Sequence, residues 1–310
     1  MYNEHFGLTE APFGLTPNTA YFLNARGYRE AFNMLQVALA NNDGFIKVTG
    51  EVGTGKTMLC RKLLNTLDDN YYTVYIPNPF LNPTALYRAI AQELGVKVKS
   101  RDGINEYQHN INERLIELVA AGKKVVVVID EAQAMPPKSL EALRLISNLE
   151  TETSKLVHII LFGQPELDRL LGDESLRQLR QRISFSYCLP QLDLDGVRNY
   201  INHRLSVAGY NGESLFSGPA IKLLLKASGG VPRLVNILAN KSMMAAFGKG
   251  AMKIDKTHVM AAAKDTEGVK VPRLFMVPFM AKFMDWGIGI SFAALLLVCI
   301  MVFELPGVNS

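Results

Sequence analysis

Thr49-Gly50-Glu51-Val52-Gly53-Thr54-Gly55-Lys56-Thr57 is the stretch from which the rest of this chain is read. It fits G-x-x-x-x-G-K-[ST], and its flanks suit a phosphate-binding loop. Phe45 to Thr49 predicts a short strand before it, and Met58 to Leu64 an amphipathic helix after it. The glycines let the backbone curl, so that successive N–H groups face one cavity at the positive end of the helix. Lys56 is then placed for β- and γ-phosphates, and the Thr57 hydroxyl for Mg²⁺. The run Gly50, Glu51, Val52, Gly53, Thr54, Gly55, Lys56 and Thr57 is therefore expected to hold a nucleoside triphosphate.

Strands and helices alternate outward from that loop. Tyr71 to Ile76 reads as a strand stopped by Pro77-Asn78-Pro79, followed by helices Thr84 to Leu94 and Ile104 to Ala121. Lys124 to Glu131 carries four valines and an isoleucine in sequence, the pattern of a strand buried on both faces. A helix from Ser139 to Leu149, a second buried strand from Leu156 to Gly163 and a strand from Ile183 to Leu189 follow. The alternation predicts a doubly wound α/β domain with a parallel sheet and a ligand at the carboxyl ends of its strands. Asp130 and Glu131 fall at such an end. Asp130 is suited to hold Mg²⁺ through its water shell, and Glu131 to orient and deprotonate an attacking water.

Composition sets the limits. The chain has 310 residues, enough for about two domains. A net charge of +4, with no long basic run, argues against nucleic acid as a partner. Cys60, Cys188 and Cys299 form no C-x-x-C pair and read as reduced thiols. The five histidines lack metal-ligand spacing. No signal peptide is expected at the amino end. Residues 1–42 read as an irregular, aromatic-rich segment leading into a helix from Gly27 to Ala40, with Phe32, Leu35, Val37 and Ala38 at helical spacing. Its aromatics are read as core rather than as contacts to a base.

Taken together, the loop, the D-E strand end, Leu161 to Leu167, Leu176 to Ile183 and Gly229-Gly230-Val231-Pro232-Arg233 resemble an AAA+ ATPase. Phe6-Gly7-Leu8, Pro12-Phe13, Asn148-Leu149-Glu150 and the G-Q-P-E-L segment narrow the resemblance to the ExeA/GspA branch. These ATPases are tied to type II secretion and type IV pili, and the likeness is greatest to the members that serve MSHA pilus biogenesis. The resemblance implies ATP and Mg²⁺ as ligands and a ring-type homo-oligomer. Gln164 would be sensor 1, Arg233 the lid arginine of sensor 2, and Arg182 the arginine finger, with Arg180 and Arg177 as alternatives. Residues 1–190 would form the ATPase core. Residues 191–265 would form the helical lid, from helices at Asp193 to Ala208, Ala220 to Ala227, Arg233 to Phe247 and Thr257 to Lys264.

Beyond residue 265 the composition changes. After a juxtamembrane stretch, 266–285, residues 286–303 carry no charge, and as a helix they would span about 27 Å. This predicts one transmembrane helix, leaving 304–310 as a short periplasmic tail without the peptidoglycan-binding domain of ExeA-like proteins. Lys264, Lys270, Arg273 and Lys282 precede the span and no Lys or Arg follows it, which puts the ATPase on the cytoplasmic side of the inner membrane. Two functions follow. One is a membrane-anchored ATPase that assembles or remodels a pilus or type II secretion machine through protein partners. The other is a DNA-associated AAA+ ATPase of the transposition type.

Overall fold

The computed structural model describes residues 2–41, 43–97, 103–148 and 155–269. The chain opens with α1 (Tyr2–His5) and a 3₁₀ turn at Thr19–Tyr21, then runs through α2 (Arg26–Ala40), β1 (Phe45–Thr49), α3 (Lys56–Leu64) and β2 (Tyr71–Ile76). It continues with α4 (Pro83–Glu93), α5 (Ile104–Ala120), β3 (Lys124–Ile129), α6 (Pro137–Ile146) and β4 (Val157–Gly163). Two short helices, α7 (Glu166–Leu171) and α8 (Arg177–Gln181), lead to β5 (Ile183–Cys188). Four more helices complete the described part: α9 (Leu194–Val207), α10 (Gly218–Ser228), α11 (Pro232–Phe247) and α12 (Lys256–Lys264).

The five strands form one parallel sheet in the order β2-β3-β4-β1-β5. The expectation of a parallel α/β core is met, and so is the reading of the valine run. Val125 to Ile129 and all of β4 are buried, whereas the edge strand β5 alternates between half-buried and exposed residues. Alternate residues feed opposite faces, as a two-residue period requires. Val126, Val128, Ile160 and Phe162 join a core with α2 and α3, while Val125, Val127, Ile159 and Leu161 join one with α4 to α8. The first core runs on without interruption into the lid helices and the amino-terminal segment.

Two details depart from the sequence reading. β3 ends at Ile129 and does not run on through Glu131, because Glu131 adopts a left-handed backbone (φ 52°) that breaks the extended ladder. In α2 the buried stripe is Tyr28, Ala31, Leu35, Ala38 and Leu39, and Val37 is 51% exposed. Residues 28, 31, 35 and 38 recur at helical spacing, and residue 37 falls off that face.

Three of the last four described helices, α9, α10 and α12, start on side-chain caps. Asp193 accepts from the Gly196 amide, Ser217 from that of Ala220, and Asp255 from those of Thr257 and His258. The amino-terminal segment straps itself to this lid. The Tyr2 hydroxyl donates to Asn240 (2.6 Å), the Thr9 amide to the Ala208 carbonyl (2.9 Å), and Arg204 to the Pro12 carbonyl (2.6 Å). The expected membrane span, 286–303, lies outside the described residues. Among the described residues no helix is long and apolar enough to cross a membrane.

Candidate nucleotide site

The loop between β1 and α3 is held open by its own polar groups. The Gly50 amide donates to the Gly163 carbonyl at the end of β4 (3.2 Å), which fixes the start of the loop to the sheet. Buried Thr54 turns its hydroxyl back to the Glu51 carbonyl (2.8 Å). Gly55 stands at φ 92°, a backbone that a side chain would strain, and the Tyr28 hydroxyl packs where its Cβ would project. That hydroxyl donates to the Thr54 carbonyl, so α2 braces the loop from behind. Glu51 and Val52 are exposed at the rim. Lys56 is buried, and its ammonium donates to the Gly50 (2.7 Å) and Glu51 (3.0 Å) carbonyls. Burial lowers its pKa, while the carboxylates of Glu131 and Asp130 act in the opposite direction.

The sheet order puts β4 between the loop strand β1 and the acidic strand β3, and so brings Thr57, Asp130, Glu131, Gln133 and Gln164 together. The Thr57 hydroxyl donates to Asp130 Oδ2 at 2.7 Å. Asp130 is buried, and loss of water raises its pKa against the hydrogen bonds that lower it. Glu131 Oε2 accepts from Gln164 Nε2 (3.0 Å) and from Gln133 Nε2 (2.6 Å). Gln133 also accepts the Gln164 amide proton through Oε1 (2.9 Å). Gln133 is thus a clamp on both candidate catalytic groups. Sequence reasoning missed it, and its position two residues after Glu131 was the available signal.

The lid closes the cleft on the other side. The Arg233 amide donates to the Gly53 carbonyl (3.2 Å), seating the first turn of α11 on the phosphate loop. Arg233, Asn236, Tyr200 and Arg204 line the same cleft as Lys56, Thr57, Glu131 and Gln164, as do Tyr21, Phe22 and Tyr28 from the amino-terminal region. These aromatics therefore belong to both core and cleft, where the sequence reading had taken them as core alone. Arg204 is another residue that sequence reasoning missed. It is buried, donates to the Pro12 and Gly14 carbonyls and to the Tyr200 hydroxyl, and stacks over the Tyr21 ring at 4.6 Å.

Arg182 is elsewhere. It precedes β5, whose first residue pairs with Phe45 at the start of β1, while Thr49 at the loop end pairs with Cys188. The length of a strand, about 17 Å, separates Arg182 from its own phosphate loop. Its guanidinium donates to the Ser147 hydroxyl (3.2 Å), and Arg177 and Arg180 are exposed on the same side.

The residues present fit a divalent ion only in company. No cluster of three His, Cys, Asp or Glu that could hold a metal occurs among the described residues, whereas Thr57 and buried Asp130 face one another. Such a pair suits Mg²⁺ that arrives with phosphate oxygens and water as its remaining ligands.

Comparison with known proteins agrees with this geometry. A family model described as an AAA domain matches residues 39–171. General secretion pathway protein A of Aeromonas hydrophila is 40% identical over 270 residues, 87% of this chain and 49% of that protein. The chain thus spans about half the length of that relative. Among solved structures, Cdc6p of Pyrobaculum aerophilum shares the fold with a TM-score of 0.64 at 20% identity, covering 81% of this chain and 71% of that one. The Aeropyrum pernix ORC2 protein, solved as ADPNP-ADP complexes, does so with a TM-score of 0.59 at 14% identity, covering 82% and 72%. A phosphate loop facing an acidic strand end under a helical lid, the AAA domain match and the identity to General secretion pathway protein A make this chain an AAA+ ATPase of the ExeA/GspA branch.

Proposed function

We propose that the cleft between sheet and lid binds ATP with Mg²⁺, and that its hydrolysis drives assembly or remodelling of a type II secretion machine or an MSHA-like type IV pilus at the inner membrane. The observation that carries this reading is the 40% identity to General secretion pathway protein A over 270 residues. Buried Lys56 and the loop amides receive the phosphates, and Thr57 and Asp130 hold the ion. Mg²⁺ supplies neutralisation of phosphate charge. Glu131, fixed by Gln133 and Gln164, takes a proton from water at the γ-phosphate. Arg233 approaches from the lid. In this reading residues 1–190 are the core, 191–265 the lid, 266–285 the juxtamembrane stretch, 286–303 the anchor and 304–310 the far-side tail.

In the proposed ring, Arg182 reaches a neighbour's γ-phosphate, because its own loop is a strand length away. The alternative, a DNA-associated ATPase, rests on fold likeness alone. It predicts DNA binding that is strong at low salt and weakens steeply as salt is raised.

Lys56→Ala should abolish ATP binding in calorimetry, and an unchanged affinity would remove the phosphate assignment. Glu131→Gln should bind ATP and fail to turn it over; turnover at the parent rate would show that Glu131 is not the base. Arg182→Ala should keep nucleotide affinity and slow hydrolysis roughly 10³-fold. Mixed with Lys56→Ala, it should regain part of the activity at interfaces where an intact loop meets an intact arginine. Co-assembly without any regain would contradict action between subunits. For the anchor, a reporter active only in the periplasm should work when fused after Ser310 and not after Asp265. The reverse pattern would overturn the orientation.

A further inference from the structure

Four buried side-chain atoms among the described residues have no hydrogen-bond partner: Asn3 Oδ1, Glu141 Oε2, His203 Nε2 and Asn236 Oδ1. Asn236 is the one that lines the nucleotide cleft. It is 6% exposed and stands on α11 one turn beyond Arg233 and four residues beyond Pro232, which shares its face and also lines the cleft. A buried amide carbonyl without a donor is a standing cost to the folded state, and a fold that keeps one in a ligand cleft keeps it for the ligand.

The cleft has a polarity that tells which part of a nucleotide lies there. The Arg233 amide fixes the first turn of α11 to the phosphate loop, so Asn236 lies about one helical pitch, roughly 5 Å, along α11 from that contact. The same cleft is lined by Tyr200, Tyr28 and Arg204, with Arg204 bonded to the Pro12 and Gly14 carbonyls. Aromatic walls, with the Arg204 guanidinium already engaged by carbonyls, suit a flat base and not a phosphate. The shielding of Asn236 from solvent also fits a base, since ribose hydroxyls can be satisfied by water at the cleft mouth.

We propose that Asn236 is the residue that selects adenine, its side-chain carbonyl accepting a hydrogen bond from the exocyclic 6-amino group. A 6-oxo base offers an acceptor at that place, and the Asn236 amide meets it only by turning over to present its NH2, giving up the orientation the structure shows. This rests on the nucleotide reading above, and the parent protein's own ATP affinity tests that reading separately.

The test uses the 310-residue chain and three probes: ATP, inosine triphosphate, which carries oxygen in place of the 6-amino group, and 2′-deoxyATP. The parent should bind ATP about tenfold more tightly than inosine triphosphate. In Asn236→Leu, which keeps the branched shape and removes the carbonyl, that ratio should fall to near one, while Asn236→Asp, which keeps an acceptor, should retain the preference. Without nucleotide, Asn236→Leu should melt no lower than the parent, because an unpartnered carbonyl has been removed. An unchanged ratio in Asn236→Leu, together with a lower melting temperature, would assign Asn236 a purely structural role and overturn the proposal. A parent that discriminates against 2′-deoxyATP, with that discrimination lost in Asn236→Leu, would place the contact at the ribose and overturn it equally.

Discussion

Lys56 carries its charge into a nearly closed part of the molecule, where two backbone carbonyls of its own loop hold the ammonium. An ammonium drawn out of water is stable only if oxygens surround it and negative charge is near. Those conditions explain much of the arrangement. The loop has to curl so that Gly50 and Glu51 turn their carbonyls inward, which leaves amides free to face an anion. Asp130 and Glu131 have to stand close enough to favour the charged lysine without pairing with it. The phosphates of a nucleotide would take over the role of the carbonyls and add negative charge beside the ammonium.

The sheet order serves the same requirement. With β4 inserted between β1 and β3, the loop and the acidic strand end are two strands apart, far enough for phosphate and ion to fit between them. Gln164 at the end of β4 then lies in the middle, bonded to Glu131 and to Gln133. The left-handed turn at Glu131 sends the chain back through Gln133, and it is the one positive φ outside glycine among the described residues. Backbone strain of this kind persists where surrounding bonds over-determine it, and here they do.

Much of this was legible in the residues. Strands β1 and β2 begin and end where their apolar runs do, and the valine run of β3 announced a strand covered on both faces. Lys56, Thr57 and Asp130 could be expected to gather because phosphate and Mg²⁺ chemistry demand those residue types at that spacing, and Thr57 and Asp130 do meet at 2.7 Å. What was not legible depends on distant contacts. Nothing local to Arg204 says that it will hold Pro12 and Gly14, 192 and 190 residues away. Tyr28 reads as a helix-face aromatic until its hydroxyl meets the Thr54 carbonyl. Gln133 carries no motif, and its role exists only because β4 brings Gln164 beside it.

The lid and the loop therefore act as two walls joined at one backbone bond, from the Arg233 amide to Gly53, and ATP is the ligand expected to bind them together. Amide hydrogen exchange with and without a non-hydrolysable ATP analogue and Mg²⁺ measures this directly. The account predicts slowed exchange at the loop amides of residues 53–57 and in the first turns of α11, residues 234–237, with both lost in Lys56→Ala. Protection confined to the loop, with α11 exchanging as before, would contradict the claim that sheet and lid close on one nucleotide.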